Sequence, residues 1–269
     1  MLIREALTKA TKQIADISEI PNKEARILLA FYLKKDQIWI ITHDDESIEE
    51  EGYFRLIARR SKNEPIEYIT NSANFYSREF YVDSNVLIPR PETEILVDLV
   101  VSTCKGLKQP RIVEIGTGSG IISIMLAHLL PNAIITAIDI SEDALDVAKQ
   151  NAQKHQVDIE FICSDLCDNF HEKSFDMLVS NPPYIADSEP LHVGLSYEPS
   201  LALYGGNIGD EILRGIIDIY EDRNVKYLAC EMGYDQKDKI TNYLGNLDVK
   251  LEFYKDLAGL DRGFVVGRS

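Results

Sequence analysis

Two short stretches carry residue types that can do chemistry. The first is Asn181-Pro182-Pro183-Tyr184, which ends an apolar run of Phe175, Met177, Leu178 and Val179. Prolines supply no backbone N–H and fix φ, so the chain leaves that run in a stiff extended form that presents a carboxamide and a ring. The second is "VEIGTGSGI", residues 113–121. Its Gly116, Gly118 and Gly120, with Thr117 and Ser119 between them, let the backbone turn tightly and approach a ligand closely, with helix N–H groups nearby. Nineteen residues after Gly120 comes Asp139, placed to accept hydrogen bonds from ribose hydroxyls.

Two cofactors fit such a unit, a dinucleotide and S-adenosylmethionine. A dinucleotide loop reads GxGxxG, whereas here the third glycine comes one residue early. Glu114 precedes Gly116 by two residues, and an acid there suits a cationic ligand better than a pyrophosphate. The loop therefore favours S-adenosylmethionine, with Glu114 either facing its positive end or holding the loop. Asp165 and Leu166, in "CSDL", stand where an adenine lies in such a fold. Asp165 either accepts from the adenine amine while Leu166 covers the ring, or it caps the turn after a strand.

These residues need a scaffold, and the pattern beyond residue 110 supplies one. Strand-like runs at 111–115, 133–138, 159–163, 175–180, 225–230, 249–254 and 263–267 alternate with helical patterns. That alternation predicts an α/β fold with a parallel, doubly wound sheet and helices on both faces. Ligands of such sheets bind at the C-terminal strand ends, where both chemical stretches sit. The first 72 residues read as helices without strands. Ile3, Leu7, Ala10, Ile14 and Ile17 line one helix face, Pro21 opens a second helix, and Ser47 with Glu50 makes a capping box for a third. From Phe75 to Leu87 the texture predicts a β-hairpin turning at Asp83-Ser84-Asn85, followed by a helix carrying Ile95, Leu96, Leu99 and Val100. The expected organisation is a helical domain at 1–72, a hairpin linker at 73–90 and a Rossmann-like catalytic domain at 91–269.

Composition narrows the class. At 269 residues, 45% hydrophobic and 27% charged, the chain is ordinary globular protein with room for one large domain or two smaller ones. No apolar run approaches the ~18–20 residues of a membrane span, and no signal-peptide core follows Met1, so a cytoplasmic protein without a membrane partner is expected. The four cysteines form no CxxC pair and the five histidines no HExxH, so no metal site is expected. A formal charge of −16 opposes binding by neutralisation of nucleic-acid phosphates, without excluding a local basic patch.

In this context Asn181-Pro182-Pro183-Tyr184 resembles the motif of amino-methyltransferases that act on planar nitrogens: adenine amines, guanine amines and glutamine side-chain amides. The motif alone does not choose among them. Four flanking stretches do: "EPIEYI" at 64–69, "VLIPRPETE" at 86–94, "YEPSLALYGG" at 197–206 and "DLAGLDRGFVVG" at 256–267. All are similar to the bacterial protein-(glutamine-N5) methyltransferases of peptide chain release factors, the PrmC/HemK family. The resemblance implies S-adenosylmethionine bound by Glu114, Gly116, Thr117, Gly118, Ser119, Gly120, Asp139, Asp165, Leu166 and Asn181. It also implies a release-factor glutamine, in a Gly-Gly-Gln motif, as acceptor. The Asn181 side-chain oxygen and the Pro182 carbonyl would then accept from its NH2, Pro183 would stiffen the loop, and Tyr184 would pack on the amide. The helical module would dock the protein substrate, and Arg90 and Glu92 would either form an exposed ion pair or close over the site.

The chain departs from that family's pattern at Asn71 and Ser72, where glycine is usual, at Leu166, often aromatic, and in "GGNIG" at 205–209. Among the alternatives, a nucleic-acid amino-methyltransferase would use the same residues on a flipped or unpaired base, but no basic face or target-recognition module is visible. A nicotinamide oxidoreductase leaves the Asn-Pro-Pro-Tyr stretch unexplained. A non-catalytic adaptor leaves its intact retention unexplained.

Overall fold

The computed structural model describes residues 1–172, 174–245 and 247–268, which form two compact units. One unit comprises Met1–Ser72 with Leu191–Tyr197. It holds helices α1 (Ile3–Gln13), α2 (Pro21–Leu33), α3 (Gln37–Thr42), α4 (Glu51–Arg60) and α5 (Ile66–Thr70). Its core gathers Ile3, Ala6, Ala10, Leu28, Leu29, Ile40, Tyr53 and Ile57, so the apolar face expected of α1 is the buried one. Pro21 occupies the first turn of α2, where a missing N–H costs nothing, and Tyr197 donates to the Lys62 carbonyl at 2.8 Å. The expected capping box is absent: Ser47 pairs with Leu2 in an isolated antiparallel bridge, and α4 begins only after Glu50. A backbone ladder took the residue that local pattern assigned to a cap.

The other unit comprises Ala73–Pro190 and the chain from Glu198 onward. It opens with a hairpin of β1 (Ala73–Phe75) and β2 (Arg78–Phe80). The turn falls at Tyr76-Ser77, not at 83–85, and both turn residues take left-handed φ, 50° and 56°. Tyr76 is held there from outside the hairpin, because its N–H donates to the Glu94 carboxylate and its hydroxyl to Asp98. Asp83 instead accepts from the Asn85 N–H in a local turn.

Helices α6 (Thr93–Cys104), α7 (Ile121–Leu129), α8 (Glu142–His155), α9 (Glu211–Asp222) and α10 (Lys237–Leu244) then alternate with β3 (Arg111–Ile115), β4 (Ile134–Asp139), β5 (Glu160–Cys163), β6 (Met177–Ser180) and β9 (Tyr227–Glu231), except that β6 follows β5 with no helix between them among the described residues. The short strands β7 (Ile185–Ala186) and β8 (Tyr204–Gly206) pair beside them, and β10 (Val249–Lys255) and β11 (Asp261–Arg268) finish the chain. The seven-stranded sheet has the order β10-β11-β9-β6-β3-β4-β5. It is parallel except for β11, which runs antiparallel to both neighbours. A short turn joins β10 to β11, and a parallel return needs a crossover of a dozen or more residues, so the wholly parallel expectation fails there.

Along the central strands alternate side chains enter two cores. Ile112, Met177, Val179 and Ala229 join α6 and α7 on one face, whereas Val113, Leu178, Leu228 and Cys230 join α9 and α10 on the other. Burial of each large aliphatic side chain is worth about 1.5–3 kcal/mol. The C-terminal ends of β3, β4, β6 and β9 are therefore rigid mounts for whatever side chains they carry.

Candidate active site

A cavity of about 230 Å³ opens at those strand ends. It is lined by Glu114, Gly116, Thr117, Gly118, Ser119, Asp139, Asp165, Leu166, Asn181 and Pro183, all expected from the sequence, together with Arg90, Thr93, Ile140, Pro199, Leu201 and Ala202. Three expected residues do not line it: Gly120, Pro182 and Tyr184. A Cβ at Gly120 would meet Ala148 Cβ at 3.1 Å, so this glycine serves the close packing of α7 against α8. Pro182 is buried, and the Tyr184 carbonyl accepts from Gln236 at 3.3 Å.

The loop after β3 is built from backbone. Gly116 and Gly118 have φ of 72° and 53°, conformations costly to other residues, and a Cβ at either would meet no protein atom within 4 Å. Their missing side chains leave room at the cavity wall. Four of the loop's N–H groups are engaged: Gly116 and Thr117 donate to the Ile138 carbonyl, Gly118 to Asp139, and Gly120 to the Thr117 carbonyl. A pyrophosphate cradle would aim such donors at its ligand. With those four donors turned into the protein the loop offers chiefly space, which disfavours a dinucleotide.

Charge is supplied by two buried carboxylates. Glu114 is fully buried, and its Oε2 accepts from the Thr117 hydroxyl at 2.8 Å, the Ser123 N–H at 3.0 Å and the Ser123 hydroxyl. Its Oε1 is buried without a partner. Burial pushes the Glu114 carboxyl up to about 7 against the pull of those hydrogen bonds. One oxygen thus holds the loop while the other awaits a donor, uniting the two roles left open in the sequence. Asp139 ends β4 and accepts from the Gly118 N–H at 2.8 Å and the Ser141 N–H at 3.0 Å, each oxygen keeping a lone pair to spare. Burial raises its pKa as well. Ser141 caps α8 through the Ala144 N–H, which fixes the turn that aims Asp139.

Asp165 is exposed at the wall, and Leu166 beside it holds φ of 45°, a left-handed conformation uncommon for a bulky residue. Such backbone conformations gather at functional sites.

The transfer end is built from side chains that are distant in sequence. Asn181 Nδ2 donates to Thr93 Oγ1 at 3.2 Å, leaving the amide oxygen as the acceptor of the pair. Pro183 is approached so closely by Gly205 that a Cβ there would lie 2.4 Å from its carbonyl oxygen. Gln236 ties the Tyr184 carbonyl to that of Gly209, so "GGNIG" braces the Pro-Pro segment. Arg90 pairs with Glu198 rather than Glu92, at 2.5 Å, and the same Glu198 accepts from the Ile88 N–H at 3.0 Å. This joins the "IPRPE" and "YEPSLAL" segments at the cavity rim. Sequence reasoning missed Thr93, Glu198, Glu231 and Gln236. Glu231 alone left a signal, as an acid interrupting an apolar run at a strand end.

The comparisons with known proteins agree with this architecture. Residues 5–70 match the model of the PrmC N-terminal domain, and residues 91–194 match the methyltransferase small domain. A release factor glutamine methyltransferase of Koribacter versatilis is 34% identical over 279 residues, covering 100% of this chain and 99% of that protein. The chain belongs to the release factor glutamine methyltransferase family. A bifunctional methyltransferase of Rickettsia conorii is 38% identical over 97% of this chain, which spans 56% of that protein's length. Among solved structures, the hMettl16 catalytic domain in complex with a 3'UTR hairpin has a TM-score of 0.57 at 13% identity, covering 80% of this chain and 91% of that one. That likeness shows the Rossmann-like methyltransferase fold, and it shows that the fold by itself does not choose a substrate.

S-adenosylmethionine is the cofactor of this fold and family, and the residues present fit it. Glu114 has an unpartnered buried oxygen for a cationic group, Asp139 has spare acceptors for hydroxyls, and the glycine loop leaves space while turning four of its N–H groups into the protein.

Proposed function

We propose that this chain transfers a methyl group from S-adenosylmethionine to the side-chain amide nitrogen of the glutamine in the Gly-Gly-Gln motif of peptide chain release factors. The observation that carries the reading is Asn181: its Nδ2 is anchored on Thr93, which fixes the amide plane and presents the oxygen on the opposite side, the correct partner for an amine or amide NH2. The choice of a protein glutamine over a nucleobase rests on the full-length relationship to the Koribacter enzyme and on the charge of −16.

Bound S-adenosylmethionine supplies an electrophilic methyl group. The chain's own task is alignment, because a carboxamide nitrogen is a poor nucleophile whose lone pair is delocalised. Asn181 Oδ1 and the Pro182 carbonyl accept from the substrate NH2 and point the nitrogen. Those bonds strengthen as positive charge grows on nitrogen, which stabilises the transition state more than the ground state. Two prolines, with Gly205 and Gln236 behind them, keep the acceptor from drifting, and about 1 Å of misplacement can cost roughly 100-fold. Tyr184, outside the cavity lining and with its carbonyl held by Gln236, braces the loop that carries Asn181. The helical unit of Met1–Ser72 docks the release factor, since a single glutamine loop offers too little surface for specificity.

The test is incubation with methyl-labelled S-adenosylmethionine and, in parallel, a release factor, the same factor with its Gly-Gly-Gln glutamine replaced, and DNA or RNA. Label in the intact factor alone is expected. Label in nucleic acid would overturn the reading.

A further inference from the structure

Asn181 can do its work only in one of two amide orientations, and the structure contains what selects it. Ser180 and Cys230 are register partners on the parallel strands β6 and β9. The next residues, Asn181 and Glu231, therefore stand side by side at the strand ends. Alternation places both on the face of Val179 and Ala229, the face covered by α6. The first residue of α6 is Thr93, which is 1% exposed, and Glu231 is 2% exposed. Thr93 Oγ1 accepts from Asn181 Nδ2 at 3.2 Å, and the neighbouring Glu231 carboxylate is buried with its Oε1 lacking a hydrogen-bond partner, so it is the acceptor left for the Thr93 hydroxyl proton. A hydroxyl has one proton to give. With that proton directed at Glu231, only lone pairs remain for Asn181, and these accept NH2 but repel an amide oxygen.

We propose that Thr93 and Glu231 are positioning residues: the buried Glu231 carboxylate sets the direction of the Thr93 hydroxyl, which holds Asn181 with its oxygen toward the acceptor amine. This deepens the reading of methyl transfer above and rests on it. The N-terminus of α6 also favours a negative charge beside it. Arg262 of β11 and Arg90 before α6 favour the charged form of Glu231, whereas Glu92 opposes it; Tyr184, Tyr254 and Cys230 also face it. Burial outweighs the arginines and pushes the Glu231 carboxyl up to about 7. A protonated Glu231 donates to Thr93, turns the hydroxyl proton toward Asn181 and favours the opposite amide orientation. Turnover at saturating cofactor therefore rises with pH through neutrality.

The experiment measures release-factor methylation at saturating S-adenosylmethionine, cofactor affinity by calorimetry, and the pH profile, for the wild-type chain, Thr93→Val, Thr93→Ser and Glu231→Gln. Thr93→Val keeps the shape and removes the hydroxyl, and with it the hydrogen bond from Asn181. It is expected to lower turnover by about tenfold, the scale of one oriented hydrogen bond, with cofactor affinity unchanged. Thr93→Ser is expected to restore most of the loss. Glu231→Gln keeps an acceptor but does not titrate; it should cost less turnover than Thr93→Val and remove the rise through neutrality. Wild-type turnover in Thr93→Val, or equal loss in Thr93→Val and Thr93→Ser, overturns the inference. A wild-type chain that binds the cofactor but methylates no release factor fails the underlying reading instead, whatever the variants do.

Discussion

The two ends of the cavity are made differently. At the β3 and β4 ends the wall is backbone, and its supports come from the same or the next strand–helix unit: Glu114 Oε2 is held by Thr117 and Ser123, and Asp139 by Ser141 and by Gly118, 21 residues distant. At the β6 and β9 ends the wall is side chain, and each support comes from far away. Asn181 is held by Thr93, 88 residues distant, and the Tyr184 carbonyl by Gln236, 52 residues distant. On the proposed reading, a cofactor shared by many reactions would be met by one loop, whereas the acceptor would be met by a group that only the completed fold can aim. The two ends should therefore fail separately when mutated.

The largest separation is expected at Asn181. Asn181→Ala should lower turnover by roughly 100-fold or more, the scale of one lost transition-state contact, while cofactor affinity measured by calorimetry changes much less. Near-normal turnover would remove Asn181 from the transfer step, and an equal loss of affinity would erase the difference between the two ends.

At the other end, Glu114→Gln should weaken S-adenosylmethionine by about tenfold, as expected for one hydrogen bond to a charged group, with turnover at saturation reduced less. Its effect on stability has the opposite sense. The Glu114 and Glu231 carboxyls are both raised to about 7 in the folded chain, so folding favours their protonated forms. The stability they contribute is fully present below the ordinary carboxylate range and is lost as pH rises through about 7. Without cofactor, Tm should fall across that window, and less steeply in Glu114→Gln. Thermal melts at a series of pH values check this, and a variant that falls as steeply as the wild type would show that the folded chain does not hold a proton on Glu114 there.

The smallest effect is expected at the rim. The Arg90 side chain is 33% exposed and that of Glu198 3%, so water can reach the place of the guanidinium while the Ile88 N–H still holds the buried Glu198 carboxylate. Arg90→Ala should raise KM for the release factor by under about fivefold. A loss as large as that of Asn181→Ala would move Arg90 into the transfer end.

How much of this was legible in the sequence follows the same division. Strands β3 to β6 and β9, the glycine loop, Asp139 and the Asn-Pro-Pro-Tyr exit were readable because periodicity and turn chemistry act over a few residues. The left-handed turn at Tyr76-Ser77 was not, since Glu94 and Asp98 impose it from another element. The antiparallel β11 was set by the shortness of its turn. Ser47, assigned to a cap, went to a bridge with Leu2. Thr93 lay inside a quoted motif, yet nothing local marks a threonine at a helix start as the partner of an asparagine 88 residues away.

The central claim is a methyl group on a protein amide nitrogen, and the most direct measurement is tandem mass spectrometry of a release factor after reaction with the wild-type chain and S-adenosylmethionine. The expected result is one added methyl on the side-chain nitrogen of the Gly-Gly-Gln glutamine, lost with Asn181→Ala. A methyl on any other residue, or an unmodified factor beside methylated nucleic acid, would contradict it.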